Sequence, residues 1–320
     1  MLVAWFPLFL VFSDQYHPWP LPPVPPALAP VSSTRMLTGE ELLRIGETHD
    51  SQRHFQETLR YYELALTDFR EKKQSRGIAA ALVKIAQVYE RQEKMPEASE
   101  ALQEALPILA RSSDRLAHAR ALLVMGRVSA WLGDREQASS SLSQAATLFD
   151  HAEERSGWNA SLVQLGLLEV GDGSPEEGLW MLQQAWNDAR AREDRGQQAA
   201  SLAALGTAQW LLDHPADARR YYEDSLQLAV TEHYLPLEAA LRFRLASLDG
   251  EAQQLSEAVE SAKRASLLAR TLHDPELEAA VSSLLADLYR QMGRDAEADE
   301  AIQRALLIYR YRQIQVHGAP

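Results

Sequence analysis

From Leu42 onward, two apolar residues three apart are followed at once by a small one, and the arrangement returns every forty residues: Leu42/Ile45/Gly46, Leu82/Ile85/Ala86, Leu122/Met125/Gly126, Leu162/Leu165/Gly166 and Leu202/Leu205/Gly206. In the last two periods Arg242 and Ser282 replace the first apolar residue, while Leu245/Ala246 and Leu285/Ala286 remain. A spacing of three with a small residue behind it puts a packing ridge and a point of close approach on one helix face. Twelve residues after the first small slot comes a second, at Thr58, Ala98, Ala138, Gly178, Ala218, Ala258 and Ala298. A third follows seven later, at Ala65, Ala105, Ala145, Ala185, Ser225, Ala265 and Ala305. Between the last two slots stands a bulky residue, Tyr62, Leu102, Leu142, Leu182, Tyr222 or Ile302, which fills the space that the small ones open. Each period therefore predicts two antiparallel helices. Turn signals fall between them at one phase: Leu132-Gly133-Asp134, Gly171-Asp172-Gly173, Asp213-His214-Pro215 and Met292-Gly293-Arg294. Glycine there supplies the left-handed backbone that ends a helix. Thr38, ahead of Gly39-Glu40-Glu41, is an N-cap with acidic first-turn residues and marks where the array begins.

Seven uninterrupted copies of one supersecondary unit predict a solenoid in which each hairpin packs only on its neighbours. The pattern resembles the tetratricopeptide repeat, and the likeness spans residues 39–318. The units depart from the 34-residue form, because the second helix runs on for six more residues. In that they are similar to the repeats of kinesin light chain, of polarity adaptors that bind peptide motifs, and of bacterial signal-sensing proteins. The resemblance implies an all-α, right-handed superhelical solenoid of seven helix pairs that recognises a peptide or protein segment. The family's aromatic at the start of the first helix is missing from every copy, and its aromatic three after the small slot survives only as Tyr89 and Tyr289. A carboxylate clamp for chaperone tails would require Lys and Asn at first-helix positions that here hold Leu43 and Glu47, then Val83 and Gln87. The resemblance does not carry that activity over.

Outside the array the pattern changes character. Residues 1–13, MLVAWFPLFLVFS, form an apolar run that lacks a leading Lys or Arg and carries Pro7. It reads either as an export signal or lipid-facing anchor, or as a non-native start ahead of an alternative initiator at Met36. It is too short to span a bilayer, which takes about 20 apolar residues. Residues 18–30 hold seven of the fifteen prolines and predict an extended spacer. The organisation expected is thus a segment over 1–37, the repeat array over 38–318, and a two-residue tail. The final helix, with Tyr309-Arg310-Tyr311-Arg312, either caps the array or offers a face for a homodimer.

A formal net charge of −13 sets a repelling field against nucleic acid, and no basic stripe offsets it. The absence of cysteine removes disulfides, thiolate metal sites and Cys nucleophiles. The nine histidines include no HExxH, and His49 and His54, five apart, diverge on a helix. Gly171-Asp172-Gly173 follows a helix rather than a strand and lacks Lys-Ser/Thr, so it reads as a turn, not a phosphate cradle. Asn159-Ala160-Ser161 matches the glycosylation pattern but lies where a first helix begins. No cofactor, metal or catalytic cluster is expected.

In a solenoid of this kind the first helices line the concave face, so side chains at −6, −3, −2, +1, +4 and +5 from the first small slot point into the groove. The candidates from the N-terminal side are Arg44, Lys84, Gln87, Arg120, Arg127 and Trp131, followed by Val163, Gln164 and Leu167. They continue with Ala203, Ala204, Thr207 and Trp210, then Phe243, Arg244, Asp287 and Arg290. An apolar centre with basic shoulders suits a peptide with hydrophobic anchors and acidic flanks. The expected function is a non-enzymatic, cytoplasmic scaffold or adaptor. The alternatives are a sensor that binds a peptide or small effector and controls a separate output protein, and an exported, membrane-tethered assembly factor.

Overall fold

The computed structural model describes residues 37–51, 54–171 and 173–317, with side chains through residue 310. The apolar run at 1–13, the proline-rich spacer, the side chains of the proposed dimer residues Tyr311 and Arg312 and the two-residue tail lie outside what is described. Every regular element among the described residues is an α-helix. The first helices of the seven periods are α1 (Gly39–Ser51), α3 (Ser75–Arg91), α5 (Arg115–Leu132), α7 (Arg155–Gly171), α9 (Arg195–Leu211), α11 (Leu235–Glu251) and α13 (Pro275–Gln291). The second helices are α2 (Phe55–Glu71), α4 (Met95–Ala110), α6 (Arg135–His151), α8 (Pro175–Ala191), α10 (Pro215–Thr231), α12 (Leu255–Thr271) and α14 (Asp295–His317). The protein is a helical-repeat solenoid of these hairpins. By the contacts among its helices the chain divides into two compact units, with the boundary between Met181 and Leu182 inside α8.

In the N-terminal unit α1 pairs with α2, α3 with α4 and α5 with α6, and each second helix packs on the next first helix. The core runs through Tyr62, Phe69, Leu102, Leu142 and Phe149, all at most 1% exposed. The C-terminal unit repeats the scheme with α9·α10, α11·α12 and α13·α14, around Leu182, Tyr222, Leu241 and Leu288. In both, the small slots are steric contacts. A Cβ on Gly206 would stand 2.6 Å from the Tyr222 ring and 3.2 Å from the Ala218 carbonyl oxygen. The same clash with Tyr62 would arise at Gly46. The slot facing Leu102 holds Ala86, whereas a Cβ on Gly126 would stand 2.5 Å from Leu142.

The forty-residue period resolves into two halves of twenty with the same junction. Left-handed residues stand at Lys73, Glu93, Gly133, Glu153, Gly173, Glu193, Asp213, His233, Gln253, His273 and Gly293. At each, the next amide reaches back five residues, as in Gln74 N–H to Phe69 O (2.9 Å), Asp134 to Ser129 (2.9 Å) and Asp194 to Ala189 (3.0 Å). That six-to-one bond, with Lys73 N–H to Arg70 O at 3.1 Å, is a Schellman closure. The residue that donates it is also the N-cap of the following helix. Gln74 O accepts from Ile78 N–H, and the Asp134 and Asp194 carboxylates accept from the amides of Gln137 and Gln197 at 3.0 Å. Glycine is therefore not the rule that the sequence suggests, since Lys, Glu, Asp, His and Gln adopt the same strained backbone. At the α4–α5 junction a serine replaces the left-handed closure: the Ser112 hydroxyl donates to Leu109 O (2.9 Å) and accepts from Asp114 N–H (3.2 Å).

Ion pairs tie neighbouring first helices across a regular offset. Lys84 reaches Glu47 at 2.8 Å, and Arg127 grips Glu90 with Nε at 2.6 Å and Nη2 at 2.9 Å, each pair 37 residues apart. Arg91 pairs with Asp50 in the same layer. Asn159, at the glycosylation pattern, is fully buried in α7 and closed to modification.

Three stability measurements follow from this packing. Gly206→Val should lower thermal stability by about 1–3 kcal/mol through overpacking. Lys73→Gly should raise it by about 0.5–1 kcal/mol, because relief of the left-handed backbone exceeds the added entropy of the unfolded chain. Arg127→Glu should cost about 3–5 kcal/mol, since it sets a second carboxylate against Glu90 where Arg127 is only 2% exposed. Denaturant titration of the three variants reads all of these directly.

Candidate functional site

The 37-residue offset joins the +1 position of one first helix to the −2 position of the next, and the +4 position to the next +1. In the N-terminal unit this geometry consumes two of the four cations that the sequence assigns to a groove, Lys84 and Arg127, while Arg44 is exposed. Lys84 is half-buried against Glu47, with its ammonium 5.9 Å from the Tyr62 ring centroid, and Arg127 is buried against Glu90. Arg127 thus holds α5 to α3 and does not present its charge to a ligand. Arg120 is exposed, Trp131 is 42% exposed beside the exposed Leu132, and Gln87 and Leu167 are half-buried. Gln164 is buried. The basic shoulder of this unit is neutralised from within at Lys84 and Arg127 and stays exposed at Arg44 and Arg120.

The C-terminal unit fills the same positions differently. Arg244 sits at −2 on α11, as Lys84 does on α3, but the residue 37 earlier is Thr207 in place of an acid, and the +4 position of α9 is Trp210. The Arg244 guanidinium lies 5.8 Å from the Trp210 ring centroid and 6.0 Å from that of Phe243. Thr207, 3% exposed, shares a 3.0 Å hydrogen bond with the Tyr222 hydroxyl, and Tyr222 is 2% exposed. Burial raises the Tyr222 phenol above its ordinary pKa. Burial also lowers the Arg244 pKa, opposed only by the Tyr222 hydroxyl nearby. Arg244 Nη2 is shielded from solvent and has no hydrogen-bond partner, and among the described residues Arg244 forms no ion pair. Further along, Asp287 and Arg290 are both exposed and face each other at 3.8 Å within α13.

A separate cleft of about 490 Å³ lies in the same unit between α8, α9 and α10. Its walls mix Arg190 and Arg195 with Glu193 and Asp224, and none of the expected groove residues lines it. Among the described residues no group of three His, Asp or Glu side chains is placed to hold a metal ion. No described helix is long and apolar enough to cross a membrane.

Sequence reasoning missed the acids Glu47, Asp50 and Glu90, which decide which cations are free. The available signal was an acid at +1 or +4 with a cation 37 or 41 residues later, a pairing that becomes visible once adjacent first helices are laid side by side.

The tetratricopeptide-repeat profile matches residues 77–150 and again residues 279–311. None of the curated proteins matches the chain. Among solved structures, the apo form of RapI is similar with 13% identity over 85% of this chain and 97% of that one, at a TM-score of 0.62. A Rap protein complexed with competence and sporulation factor gives 15% identity, 87% and 76% coverage, and 0.65. The Rap conjugation gene regulator of plasmid pLS20, in complex with the Phr* peptide, gives 16%, 88% and 76%, and 0.63. Likeness at this identity is a likeness of fold. Residues 77–150 and 279–311 thus match tetratricopeptide repeats, and the other described hairpins carry the same small-residue slots at the same spacing.

Proposed function

We propose that this protein is a non-enzymatic, cytoplasmic peptide-binding module that captures an extended or helical segment of another protein on its first-helix face, centred in the C-terminal unit on Trp210 and Phe243. The observation that carries this reading is that both rings stand half-exposed on adjacent first helices, Trp210 at the position where the N-terminal unit has the ion-paired Asp50 and Glu90. Half-exposed aromatics bring large apolar area at small entropic cost, which makes them suitable anchors for a partner. Thr207 and Gln164 lie buried at the equivalent face of their own units, beneath the surface that a peptide would cover. Lys84, Gln87, Arg120, Trp131 and Leu167 are the corresponding contacts proposed for the N-terminal unit.

Whether such a module acts as an adaptor or as a sensor turns on what binding does to it. The sensor reading draws support from fold analogy, since one similar structure is a gene regulator holding a peptide. A scattering measurement separates them: a bound peptide that shrinks the radius of gyration favours the sensor, and an unchanged envelope favours the adaptor.

Selection of random dodecapeptides against the full chain tests the shared premise. Enriched peptides should bind in the micromolar range and lose at least about tenfold in affinity to Trp210→Ala, the order of effect expected for an interface anchor. Enriched peptides indifferent to Trp210→Ala and Phe243→Ala would overturn the assignment of this face.

A further inference from the structure

A guanidinium stays protonated under all ordinary conditions, so taking it out of water without an anion is expensive, and proteins normally supply a carboxylate. This chain does so for cations elsewhere on its first-helix face: Lys84 has Glu47, Arg91 has Asp50, and Arg127 has Glu90. Arg244 has the same lattice position as Lys84, but the slot that should hold its acid is Thr207, whose hydroxyl is already engaged with Tyr222. Trp210 and Phe243 contact the cation through their rings, which attract positive charge yet give its N–H groups nothing to donate to. The result is a slot with buried hydroxyls at Thr207 and Tyr222, a rim of two half-exposed rings, and a fixed cation whose Nη2 is unsatisfied.

We infer that Arg244 binds a carboxylate of the incoming peptide, which takes the place that an internal acid occupies in the N-terminal unit. The inference rests on the peptide-binding reading above and gives that ligand its chemistry. A planar guanidinium donates two parallel N–H bonds to a carboxylate, and such a pair is stronger beside apolar rings than in open water. With a net charge of −13 on the chain, a long acidic tract would be repelled, so one carboxylate set among apolar residues fits best. The carboxylate comes either from an Asp or Glu side chain or from the peptide's own C-terminus. The residues are unlike a chaperone-tail clamp, because no Asn takes part and the cation stands 5.8 Å and 6.0 Å from two ring centroids.

Two arrays of synthetic dodecapeptides probe the slot in the full chain. One array has free C-termini and no acidic side chains; the other is C-terminally amidated and carries a single Glu, with a Gln counterpart and a phosphoserine counterpart for every member. Wild type should favour one array's carboxylates by at least about thirtyfold over their neutral counterparts, and Arg244→Gln should abolish that preference. Preference in the free-terminus array assigns the α-carboxylate, and preference in the Glu array assigns a side chain. Peptides that depend on Trp210 but show no acid preference would overturn this inference alone. So would an acid preference that survives Arg244→Gln, or a stronger preference for phosphoserine. Failure of every peptide to bind would overturn both this inference and the reading beneath it. A ligand-free readout guards against misfolding: Arg244→Met should raise the thermal midpoint, because it removes an uncompensated charge, and a lowered midpoint would show that the charge is satisfied within the chain.

Discussion

The constraint on which the structure depends is a junction three residues long. A helix of 17 residues closes with a Schellman bond from an amide that belongs to the N-cap of the next helix, so one residue ends one helix and starts another. That economy makes the within-hairpin and between-hairpin turns alike and sets the chain to a step of twenty. Side chains then decide which surfaces meet. Small residues at the first slot let Tyr62 and Tyr222 lie against the facing helix, and the 37-residue offset between adjacent first helices follows from the same spacing. Backbone geometry fixes the register, and packing fills it.

Most of the fold was legible because its signal is steric and repeated. Gly46, Gly126 and Gly206 mark close approach, and a bulky residue at a constant distance marks what approaches. The twenty-residue half-period was not legible, because Lys73, Glu93 and Gln253 carry no turn signature: their left-handed backbone is enforced by main-chain hydrogen bonds that any residue can make. The division into two compact units at α8 also left no mark, since no linker or change of composition accompanies it.

The candidate face was legible in outline and misread in charge. Positions relative to the small slot found Thr207, Trp210, Phe243 and Arg244, which the structure brings together. They also found Lys84 and Arg127, whose charges are spent on Glu47 and Glu90. Periodicity reports where a side chain points but not who stands opposite. The acid and its cation are 37 residues apart, beyond the reach of any pattern local to a helix, and only superposing successive repeats exposes the pair. That comparison also makes Thr207 informative, as the one member of the set that breaks the charge pairing around a cation.

The shared junction bears on how a chain of this kind can grow. Apart from the α4–α5 junction, the junctions from α2–α3 onward share one backbone geometry, so duplicating a forty-residue block that leaves that junction whole rejoins without disturbing a cap. A duplication of twenty would also close its turns, yet it would exchange the roles of first and second helices and bring bulky residues against bulky residues. Genetic lengthening is therefore filtered by side chains rather than by loops, and whole hairpins are the unit in which such a gene expands.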